Sequence, residues 1–506
     1  MWLADLKNGN YRNPVLYADY SDPDAIRVGD DYFMISSSFC NAPALPVLHS
    51  KDLVNWKVVN YVLDKIPEFR YRNPIHGCGV WAPSIRYHEG TYYVCFPMPD
   101  EGIYMTTTKD PFGKWSEPVN IRPGAGWIDP CPFWDDDGKA YLVAGVAKSR
   151  IGYKSVLHMV EMQSDGMGLI GDEVKIFDGN ENDQVTIEGP KMYKRNGWYY
   201  VFAPAGGVKT GWQTVLRSKN VFGPYEYKVV MRQGDSPVNG PHQGAWVDTQ
   251  TGEDWFLHFQ DVYAGGRIVH LQPMHWENDW PVIGVNEVDG CGEPVLRYKK
   301  PEVGATYPID APEDSDFFEG ENLGLQWQWN ANYKKEWYDL ENGQLILHAQ
   351  AADPKTQLCD ISNLLLQKWP APEFSITTCL HLEQMKDGDV AGLVSLGGCY
   401  TALAVQKING KMSLQQRTGN WTKDDEVRTG LGEWNSDVIY IQMKVEKEIY
   451  RTFYVGTAEE NLQPVGQMVE ATPGRWVGVK DGLFAINEQG MEGGLVAADY
   501  FVYQEL

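Results

Sequence analysis

The chain has 506 residues, a length that predicts two or three domains rather than a single hydrophobic core. Acidic residues outnumber basic ones by 68 to 44, and the resulting net charge of −24 argues against a nucleic-acid partner and is compatible with a neutral polysaccharide. Hydrophobic residues make up 43% of the chain, and its 19 Trp and 28 Tyr suit either all-β packing or stacking on sugars.

Cysteine spacing and hydropathy exclude several further classes of protein. The eight cysteines include no CxxC pair, so neither a zinc ribbon nor a redox motif is predicted, and several lie in apolar runs typical of buried thiols. No apolar run approaches the roughly 20 residues of a membrane span, and the start, MWLADLKNGN, lacks the hydrophobic region of a signal peptide. We therefore expect either a cytoplasmic protein or a periplasmic or secreted one whose signal peptide has been removed.

The first 290 residues carry one pattern five times: a polar residue, often beside Pro, then a short strand, a tight turn and an aromatic strand. The first copy reads DPDAIRVGDDYFMISSS and the fourth reads EGPKMYKRNGWYYVFAP. The copies begin at Asp22, Trp81, Asp129, Glu188 and His242. Their turns are Gly29-Asp30, Glu89-Gly90, Asp137-Gly138, Asn196-Gly197 and Gly252-Glu253. Such dipeptides favour two-residue hairpins because Gly and Asn tolerate positive φ.

Five hairpin units spaced by 48 to 59 residues predict an all-β, five-bladed β-propeller over residues 1–298. A pair of β-sandwiches is the alternative, but it would not explain why the repeat restarts five times. Residues 299–313 contain Pro, Gly and acidic side chains with little apolar periodicity, which is typical of a linker. Residues 314–506 alternate like strands and include the hairpin signal Asn409-Gly410, so a β-sandwich domain is predicted there.

The residues that lead the five copies are candidates for a common site. If each lies at the start of the innermost strand of its blade, all five ring the propeller axis at one mouth, although up to 220 positions separate them. Three of them are carboxyl groups: Asp22, Asp129 and Glu188. Asp-Pro pairs often start turns, so one such acid alone would be interpreted as structural. Three at equivalent positions favour glycoside hydrolysis, which needs one protonated carboxylic acid and one ionised carboxylate.

These segments resemble glycoside hydrolase family 43, the five-bladed propeller family of β-xylosidases and α-L-arabinofuranosidases. SDPDAIRVGDDYFM, WIDPCPFWDDDGKAYLV and IEGPKMYKRNGWYYVFAPAGG resemble its first, third and fourth blades, and GVWAPSIRYHEGTYYV and MHWENDWPVIG are further matches. The resemblance covers about residues 10–290, and LGLQWQWN at 323–330 resembles the sandwich of the longer members. It implies an inverting mechanism with Asp22 as general base, Asp129 as modulator of the pKa of the acid, and Glu188 as general acid.

Asp24 is a second candidate for the base. In a strand its side chain would project to the same face as that of Asp22. The family pattern favours the Asp directly before Pro, which is Asp22.

The resemblance also implies substrate-binding roles for Phe39, Trp81, Ile128, His242 and Arg267. Trp81 would form a wall against the sugar ring, with a core Trp as the alternative interpretation. Arg267, in GGRIVHLQP, matches an arginine that contacts sugar hydroxyls, although the Glu that follows it in that motif is Ile268 here. In some members the equivalent of His242 helps to bind calcium through water near the axis, and elsewhere it only forms a hydrogen bond. No required cofactor is expected, and a structural calcium ion is allowed.

The predicted function is an exo-acting, inverting glycoside hydrolase that releases terminal α-L-arabinofuranosyl residues, β-D-xylosyl residues, or both, from plant hemicellulose. The partners expected are plant oligosaccharides or polysaccharide side chains, with no nucleic acid and no membrane span. A slight preference for arabinofuranose rests on the Ile268 departure and on the C-terminal half. The alternatives are a β-xylosidase acting on xylo-oligosaccharides, an endo-arabinanase, and an inactive propeller that binds carbohydrate.

Overall fold

The computed structural model describes residues 2–423 and 426–506, and strands make up nearly all of its regular structure. The helical segments within these ranges are the short α-helix Lys148–Ile151 and the 3₁₀ turns Phe69–Arg72, Tyr263–Gly265, Lys335–Trp337, Leu358–Asp360 and Glu459–Asn461. No helix among the described residues has both the length and the apolar character that crossing a membrane requires. All eight cysteines are free thiols, and five of them are buried.

After a short first strand, β1 (Asn10–Arg12), five antiparallel sheets follow one another, each built from four consecutive strands. Blade one contains β2 (Asp24–Val28), β3 (Asp31–Ile35), β4 (Ala44–Ser50) and β5 (Trp56–Leu63); blade two contains β6 (Ser84–His88), β7 (Thr91–Met98), β8 (Gly102–Thr108) and β9 (Val119–Pro123). Blade three contains β10 (Trp127–Trp134), β11 (Ala140–Val146), β12 (Val156–Met162) and β13 (Leu169–Asp178). Blade four contains β14 (Lys191–Arg195), β15 (Trp198–Ala205), β16 (Trp212–Ser218) and β17 (Glu226–Met231); blade five contains β18 (His242–Asp248), β19 (Asp254–Asp261), β20 (Arg267–Glu277) and β21 (Trp280–Ile283). The predicted five-bladed propeller is confirmed.

The first hairpin of each blade uses the predicted turn residues, but not always in a two-residue turn. Blades one, two and four have two-residue turns, at Gly29-Asp30, Glu89-Gly90 and Asn196-Gly197. Blades three and five have five-residue loops instead. In blade three the N–H of Asp135 donates to the carbonyl of Lys139 at 2.8 Å, which closes the wider loop before the strands pair. The dipeptide therefore marked the hairpin correctly but not its loop length.

The first strands of blades five, one, two, three and four contact one another in turn around the axis, and β18 of blade five contacts β15 and β16 of blade four. The chain closes the ring at the junction of blades five and one, where β1 pairs with β24 (Arg297–Lys299). The Nδ2 of Asn13 donates to the carbonyls of Leu271 and Val295 at 2.7 and 2.8 Å. Two further strands, β22 (Val285–Val288) and β23 (Cys291–Glu293), extend the sheet of blade four. The closed ring leaves few unpaired strand edges, which is the physical advantage of a propeller.

Two sheets of antiparallel strands face each other in the C-terminal half. In order of pairing, one contains β25 (Gln328–Trp329), β29 (Leu365–Lys368), β38 (Lys480–Asn487), β31 (Asp389–Leu396), β32 (Cys399–Ile408), β33 (Lys411–Asn420) and β34 (Val427–Trp434), with β28 (Gln350–Ala351) beside β38. The other contains β26 (Tyr338–Glu341), β27 (Gln344–His348), β39 (Leu495–Glu505), β30 (Phe374–His381), β35 (Val438–Glu446), β36 (Tyr450–Gly456) and β37 (Gln463–Glu470). Leu393 and Leu483 of the first sheet and Ile376, Ile441 and Phe501 of the second belong to one fully buried core. The predicted sandwich is confirmed, including the Asn409-Gly410 hairpin.

The sandwich packs against the mouth of the propeller at several points. Trp329 forms an isolated β-bridge with Ala42, and the loop between β37 and β38 reaches the 3₁₀ turn of blade five. We call residues 472–479 of this connection the sandwich loop. Its Val479 N–H donates to the carbonyl of Ala264 at 2.8 Å. This seam brings part of the sandwich to the edge of the site described below.

Candidate active site

A pocket of about 340 Å³ opens where the sandwich loop meets the mouth of the propeller. All eight residues that the sequence predicted for the site line it: Asp22, Phe39, Trp81, Ile128, Asp129, Glu188, His242 and Arg267. They come from all five blades. The convergence expected from the repeat is therefore present in the structure.

Asp22 lies just before β2 and is held by three donors. The hydroxyls of Ser21 and Ser37 donate to its Oδ2 at 2.9 and 2.6 Å. Arg267 Nη1 donates to its Oδ1 at 2.9 Å and forms an ion pair with it. Asp22 is 7% exposed, so these donors replace most of its water. They fix the orientation of the carboxylate and stabilise its negative charge, as a general base requires.

Asp24, the second candidate for the base, lies outside the pocket. Its Oδ2 accepts hydrogen bonds from the N–H of Ile85 at 2.8 Å and from Arg86 Nη1 at 2.7 Å, and the residue is fully buried. The expectation that Asp22 and Asp24 share one face of a strand is wrong because Asp22 precedes the strand. Its φ of 56° turns its side chain away from the alternation that governs Asp24.

Asp129 lies within β10 and is 4% exposed. Its Oδ2 accepts the N–H of Gly189 at 2.8 Å, next to Glu188 in the chain. Burial, together with the charges of Glu188 and Asp22, raises the pKa of Asp129 to about 7. The three carboxyl groups therefore interact electrostatically within the pocket.

Glu188 precedes β14, and its N–H donates to the carbonyl of Pro204 at 3.1 Å. His242, the first residue of β18, places its Nε2 2.8 Å from Glu188 Oε1. The side chain of Glu188 is 28% exposed, whereas that of His242 is 1% exposed. Glu188 is thus the carboxyl group that faces the open pocket, and His242 fixes it from behind.

Six non-glycine residues of the pocket have a positive φ, which is uncommon outside glycine. The φ angles of Asp22, Phe39, Asp129, Thr186, Gln243 and Trp476 are 56°, 52°, 54°, 63°, 34° and 64°. Each such conformation costs about 1–3 kcal/mol for a residue with a Cβ, most for bulky side chains, so it persists only where the surroundings impose it. The presence of several such residues in one pocket indicates that the fold orients these side chains at a cost in local stability.

Aromatic rings form one wall of the pocket. The ring centroids of Phe39 and Trp81 lie 6.1 Å apart, and those of Trp81 and Trp476 lie 4.7 Å apart at an interplanar angle of 70°. The guanidinium of Arg150 lies 4.8 Å from the Trp81 ring and donates to the carbonyl of Gly77 at 3.2 Å. Trp81 is therefore fixed between a cation and another indole, which supports its interpretation as a wall.

The family model for glycosyl hydrolases family 43 matches residues 11–281, and a model of the beta xylosidase C-terminal concanavalin A-like domain matches residues 315–504. The chain belongs to glycosyl hydrolase family 43. The predicted family and the prediction of a glycosidase are confirmed.

Relatives of this family 43 hydrolase share both halves of the chain. A protein of Xylanibacter ruminicola is 38% identical over 486 residues, covering 95% of this chain and 87% of its own. The beta-xylosidase of Formosa agariphila is 31% identical over 560 residues, covering 99% of this chain and 91% of its own. A solved structure, Bacteroides ovatus xyloglucan PUL GH43B, is 25% identical with a TM-score of 0.84, covering 98% of this chain and 100% of that one.

Several pocket residues of this family 43 hydrolase escape prediction from the sequence. They are Lys148, Ser149, Lys154, Thr186, Gln243 and Trp476. Lys148, Ser149, Lys154 and Thr186 lie outside the repeated hairpins, so the repeat does not mark them, whereas Gln243 lies in β18 next to His242. Trp476 belongs to the other domain, and the local signal around it, TPGRWVGV, is a Pro- and Gly-containing loop with an aromatic residue.

The donor set of the pocket does not fit a calcium site built from protein groups. Calcium takes six to eight oxygen ligands, whereas the candidate His242 offers nitrogen, and its Nε2 already contacts Glu188. Among the described residues, the side-chain groups that could hold a metal are His76–Cys359–Asp360, Cys379–His381–Asp499 and His275–Glu277–Glu287, all outside this pocket. The groups that the pocket offers for acid and base chemistry are its own carboxyl side chains.

Proposed function

We propose that this family 43 hydrolase is an exo-acting, inverting glycosidase that releases single non-reducing terminal pentosyl residues from plant hemicellulose and its oligosaccharides. The observation that carries the proposal is a pocket in which three carboxyl groups converge while Trp476 of the sandwich closes one side. Such a pocket admits the end of a saccharide chain. An endo-acting enzyme would need a groove open at both ends.

Asp22 and Glu188 divide the chemistry in this proposal. Asp22 accepts a proton from a water molecule, which attacks the anomeric carbon on the face opposite the leaving group. Glu188 donates its proton to the departing glycosidic oxygen, so the product has the inverted configuration. Inversion requires the two carboxyl groups to be roughly 6.5–9.5 Å apart, which leaves room for the water between base and sugar.

Asp129 and His242 act on Glu188 in the proposal. We assign Asp129 as the modulator of the acid, because a negative charge at Asp129 disfavours a second negative charge nearby and so favours the protonated form of Glu188. The contact from His242 Nε2 to Glu188 Oε1 aims the acid. Phe39, Trp81 and Trp476 supply apolar faces for the sugar ring, beside polar groups that fix its orientation.

For the terminal sugar we favour β-D-xylose. The relative from Formosa agariphila is named a beta-xylosidase, and it aligns along nearly the whole chain. α-L-Arabinofuranose is the second candidate because Ile268 replaces the Glu of the β-xylosidase motif. Ile268 is buried and does not line the pocket, so this departure bears on the surroundings of Arg267 rather than on the sugar directly.

The test is product release from 4-nitrophenyl β-D-xylopyranoside, 4-nitrophenyl α-L-arabinofuranoside, xylo-oligosaccharides, arabinoxylan, arabinan and xyloglucan. We expect free pentose as the sole early product, and NMR of the β-xyloside reaction should show α-xylose first. Early release of internal oligosaccharides would contradict exo action, and β-xylose as first product would contradict inversion. Binding without turnover would indicate the inactive carbohydrate-binding alternative.

We also propose that catalysis requires no metal ion. Incubation with EDTA followed by gel filtration should leave kcat and KM on the preferred pentoside unchanged, because the proposed proton transfers use only side chains. Loss of activity that calcium restores would instead assign a metal to the axis, with His242 and water as its ligands.

A further inference from the structure

Asp19 connects the two domains at the edge of the pocket. It lies three residues before Asp22 and is 4% exposed, but it does not line the pocket. Its Oδ1 accepts the N–H of Arg267 at 2.9 Å, and its Oδ2 accepts the N–H of Gly478 at 2.9 Å. One carboxylate thus holds the first residue of β20 in the propeller and a residue of the sandwich loop.

Both partners of Asp19, Arg267 and Gly478, are directly connected to residues of the pocket. Arg267 donates through Nη1 to Ser21 and Asp22, each at 2.9 Å. Gly478 follows Trp476 by two residues, and Trp476 forms the edge contact with Trp81. A displacement of Asp19 would therefore change the position of Arg267, which binds the proposed base, and that of the loop that carries Trp476.

The seam beside Asp19 has no room for an additional side-chain atom. A Cβ on Gly266 would lie 2.6 Å from Asp19 Oδ1, and φ of that glycine is +79°. A Cβ on Gly478 would lie 2.9 Å from the carbonyl oxygen of Gly265 and from the Cα of Gly266. The sandwich loop therefore lies backbone to backbone against the propeller at this point. Such close packing means that the loop has one docked position rather than a range of positions.

Two lysines of the sandwich, the partly buried Lys368 and the buried Lys480, interact electrostatically with the same carboxylate. Burial lowers the pKa of Lys368 to about 7, and the charge of Asp19 opposes that shift. Burial likewise lowers the pKa of Lys480, which immediately follows the sandwich loop, and the charge of Asp19 again opposes the shift. Asp19 is thus an electrostatic partner for cations of the sandwich as well as a hydrogen-bond acceptor for its loop.

We propose that Asp19 is a positioning residue whose carboxylate clamps the sandwich loop to the backbone of Arg267, so that docking of Trp476 and orientation of the Arg267–Asp22 pair depend on each other. The proposal deepens the proposed function and rests on it, because it takes Trp476 as a wall for the terminal sugar. Asp19 itself contacts neither water nor sugar in the reaction.

The experiment compares Asp19→Asn and Asp19→Ala with a matched control, Asp389→Asn, in the full-length protein. Asp389 is also a fully buried carboxylate that accepts backbone N–H groups, from Lys386 and Gly494, but it lies within the sandwich. An asparagine retains one acceptor and loses the charge. On the preferred aryl pentoside, we expect both Asp19 variants to raise KM roughly 10- to 100-fold, with a smaller fall in kcat. Folded Asp389→Asn should retain the kinetics of the parent enzyme.

A double-mutant cycle distinguishes positioning from general destabilisation. If Asp19 acts through the sandwich loop, the effect of Asp19→Ala on KM should shrink at least several-fold in a Trp476→Ala background. Gly478→Ala leaves the carboxylate intact but forces the loop away, so it should raise KM as Asp19→Ala does. This variant also keeps the proposal testable if the Asp19 variants fail to fold.

Two results would overturn the positioning role of Asp19. One is unchanged KM in a folded Asp19 variant or in Gly478→Ala, and the other is strict additivity with Trp476→Ala. A parent enzyme that hydrolyses no pentoside would instead defeat the proposed function. The two failures are therefore distinguishable.

Discussion

The two sides of the pocket differ in what they contribute. The propeller side supplies all the carboxyl groups and the imidazole that line it, from residues that lead the repeated hairpins, and the guanidinium of Arg267 from the start of β20. The sandwich side supplies Trp476, held by backbone contacts at Asp19 and Ala264. The reacting groups thus belong to one domain, and part of the shape that receives the sugar belongs to the other.

This difference suggests that the propeller carries out the reaction and that the sandwich contributes to substrate selection. Catalytic carboxyl groups must keep their mutual distances, and a closed ring of blades provides a rigid frame for them. A loop between β37 and β38 can vary in length and side chain without disturbing that frame. We therefore expect substitutions of the carboxyl groups on the propeller side to affect mainly kcat, and substitution of Trp476 on the sandwich side to affect mainly KM.

The largest effects should come from Asp22→Asn and Glu188→Gln. Each should lower kcat about 10²- to 10⁴-fold on xylobiose, because general acid or base catalysis contributes about that much. On an activated aryl pentoside Asp22→Asn should remain as impaired, whereas Glu188→Gln should recover much of its activity because a nitrophenolate leaves without protonation. Initial rates on the two substrates measure the difference.

Asp24→Asn is the matched control for these variants. Asp24 is buried and ion-paired with Arg86 outside the pocket, so its variant should lose thermal stability while its folded fraction keeps a near-normal kcat. A kcat loss for Asp24→Asn as large as that for Asp22→Asn would reverse the assignment of the base.

Trp476→Ala tests the sandwich side of the comparison. It should raise KM roughly tenfold, with kcat within a few-fold of the parent value, since the variant removes an apolar face of about 1–2 kcal/mol rather than a reacting group. Phe39→Ala removes an apolar ring from the propeller side of the same wall, and it should likewise raise KM more than it lowers kcat. Steady-state kinetics on the preferred pentoside would contradict the division if Trp476→Ala lowered kcat and left KM unchanged.

Asp129→Asn should produce a smaller change in rate but a characteristic change in pH dependence. Burial, together with the charges of Glu188 and Asp22, raises the pKa of Asp129 to about 7. Removing the charge makes it easier for the catalytic proton to leave, so the alkaline limb of the kcat profile should move to lower pH. A displacement of one pH unit corresponds to about 1.4 kcal/mol of charge interaction. An unmoved limb with a raised KM would instead indicate that Asp129 binds a sugar hydroxyl.

The smallest effect expected is a decrease in the free energy of unfolding of the propeller at acidic pH. Burial lowers the pKa of His258 to about 4, and burial together with His258 lowers that of His270 well below its ordinary value; both lie in blade five. As the unfolded chain takes up protons near pH 6.5 while the folded propeller does not, stability should fall between about pH 6.5 and pH 4. Thermal unfolding of His270→Gln should show a weaker pH dependence than the parent over this window. An identical dependence in both proteins would contradict the prediction.

Much of the architecture was predictable because it is repeated. Alternation within each hairpin and Gly- or Asn-containing turns are local signals, and Asp22, Asp129, Glu188 and His242 occupy corresponding positions in them. The boundaries 1–298, 299–313 and 314–506 remain predictions. The structure ends the propeller strands at 297–299 and begins the sandwich strands at 328–329.

Two sequence interpretations failed for the same physical reason. The shared face of Asp22 and Asp24 assumed regular strand backbone, but Asp22 has φ of 56° before the strand begins. The two-residue turns of blades three and five assumed that a dipeptide alone sets the loop, but a hydrogen bond across five residues sets it. Backbone angles of single residues depend on surroundings that a local pattern does not contain.

The sequence by itself determined the five-fold ring, the sandwich and the convergence of three carboxyl groups, because hairpin periodicity and strand geometry act over a few residues at a time. Only the tertiary structure decided which side chains of the second domain reach the pocket. Trp81 and Trp476 are 395 positions apart, and Asp19 and Gly478 are 459 positions apart. Contacts over such separations arise from the docking of two finished domains, and no periodic pattern in either segment records them.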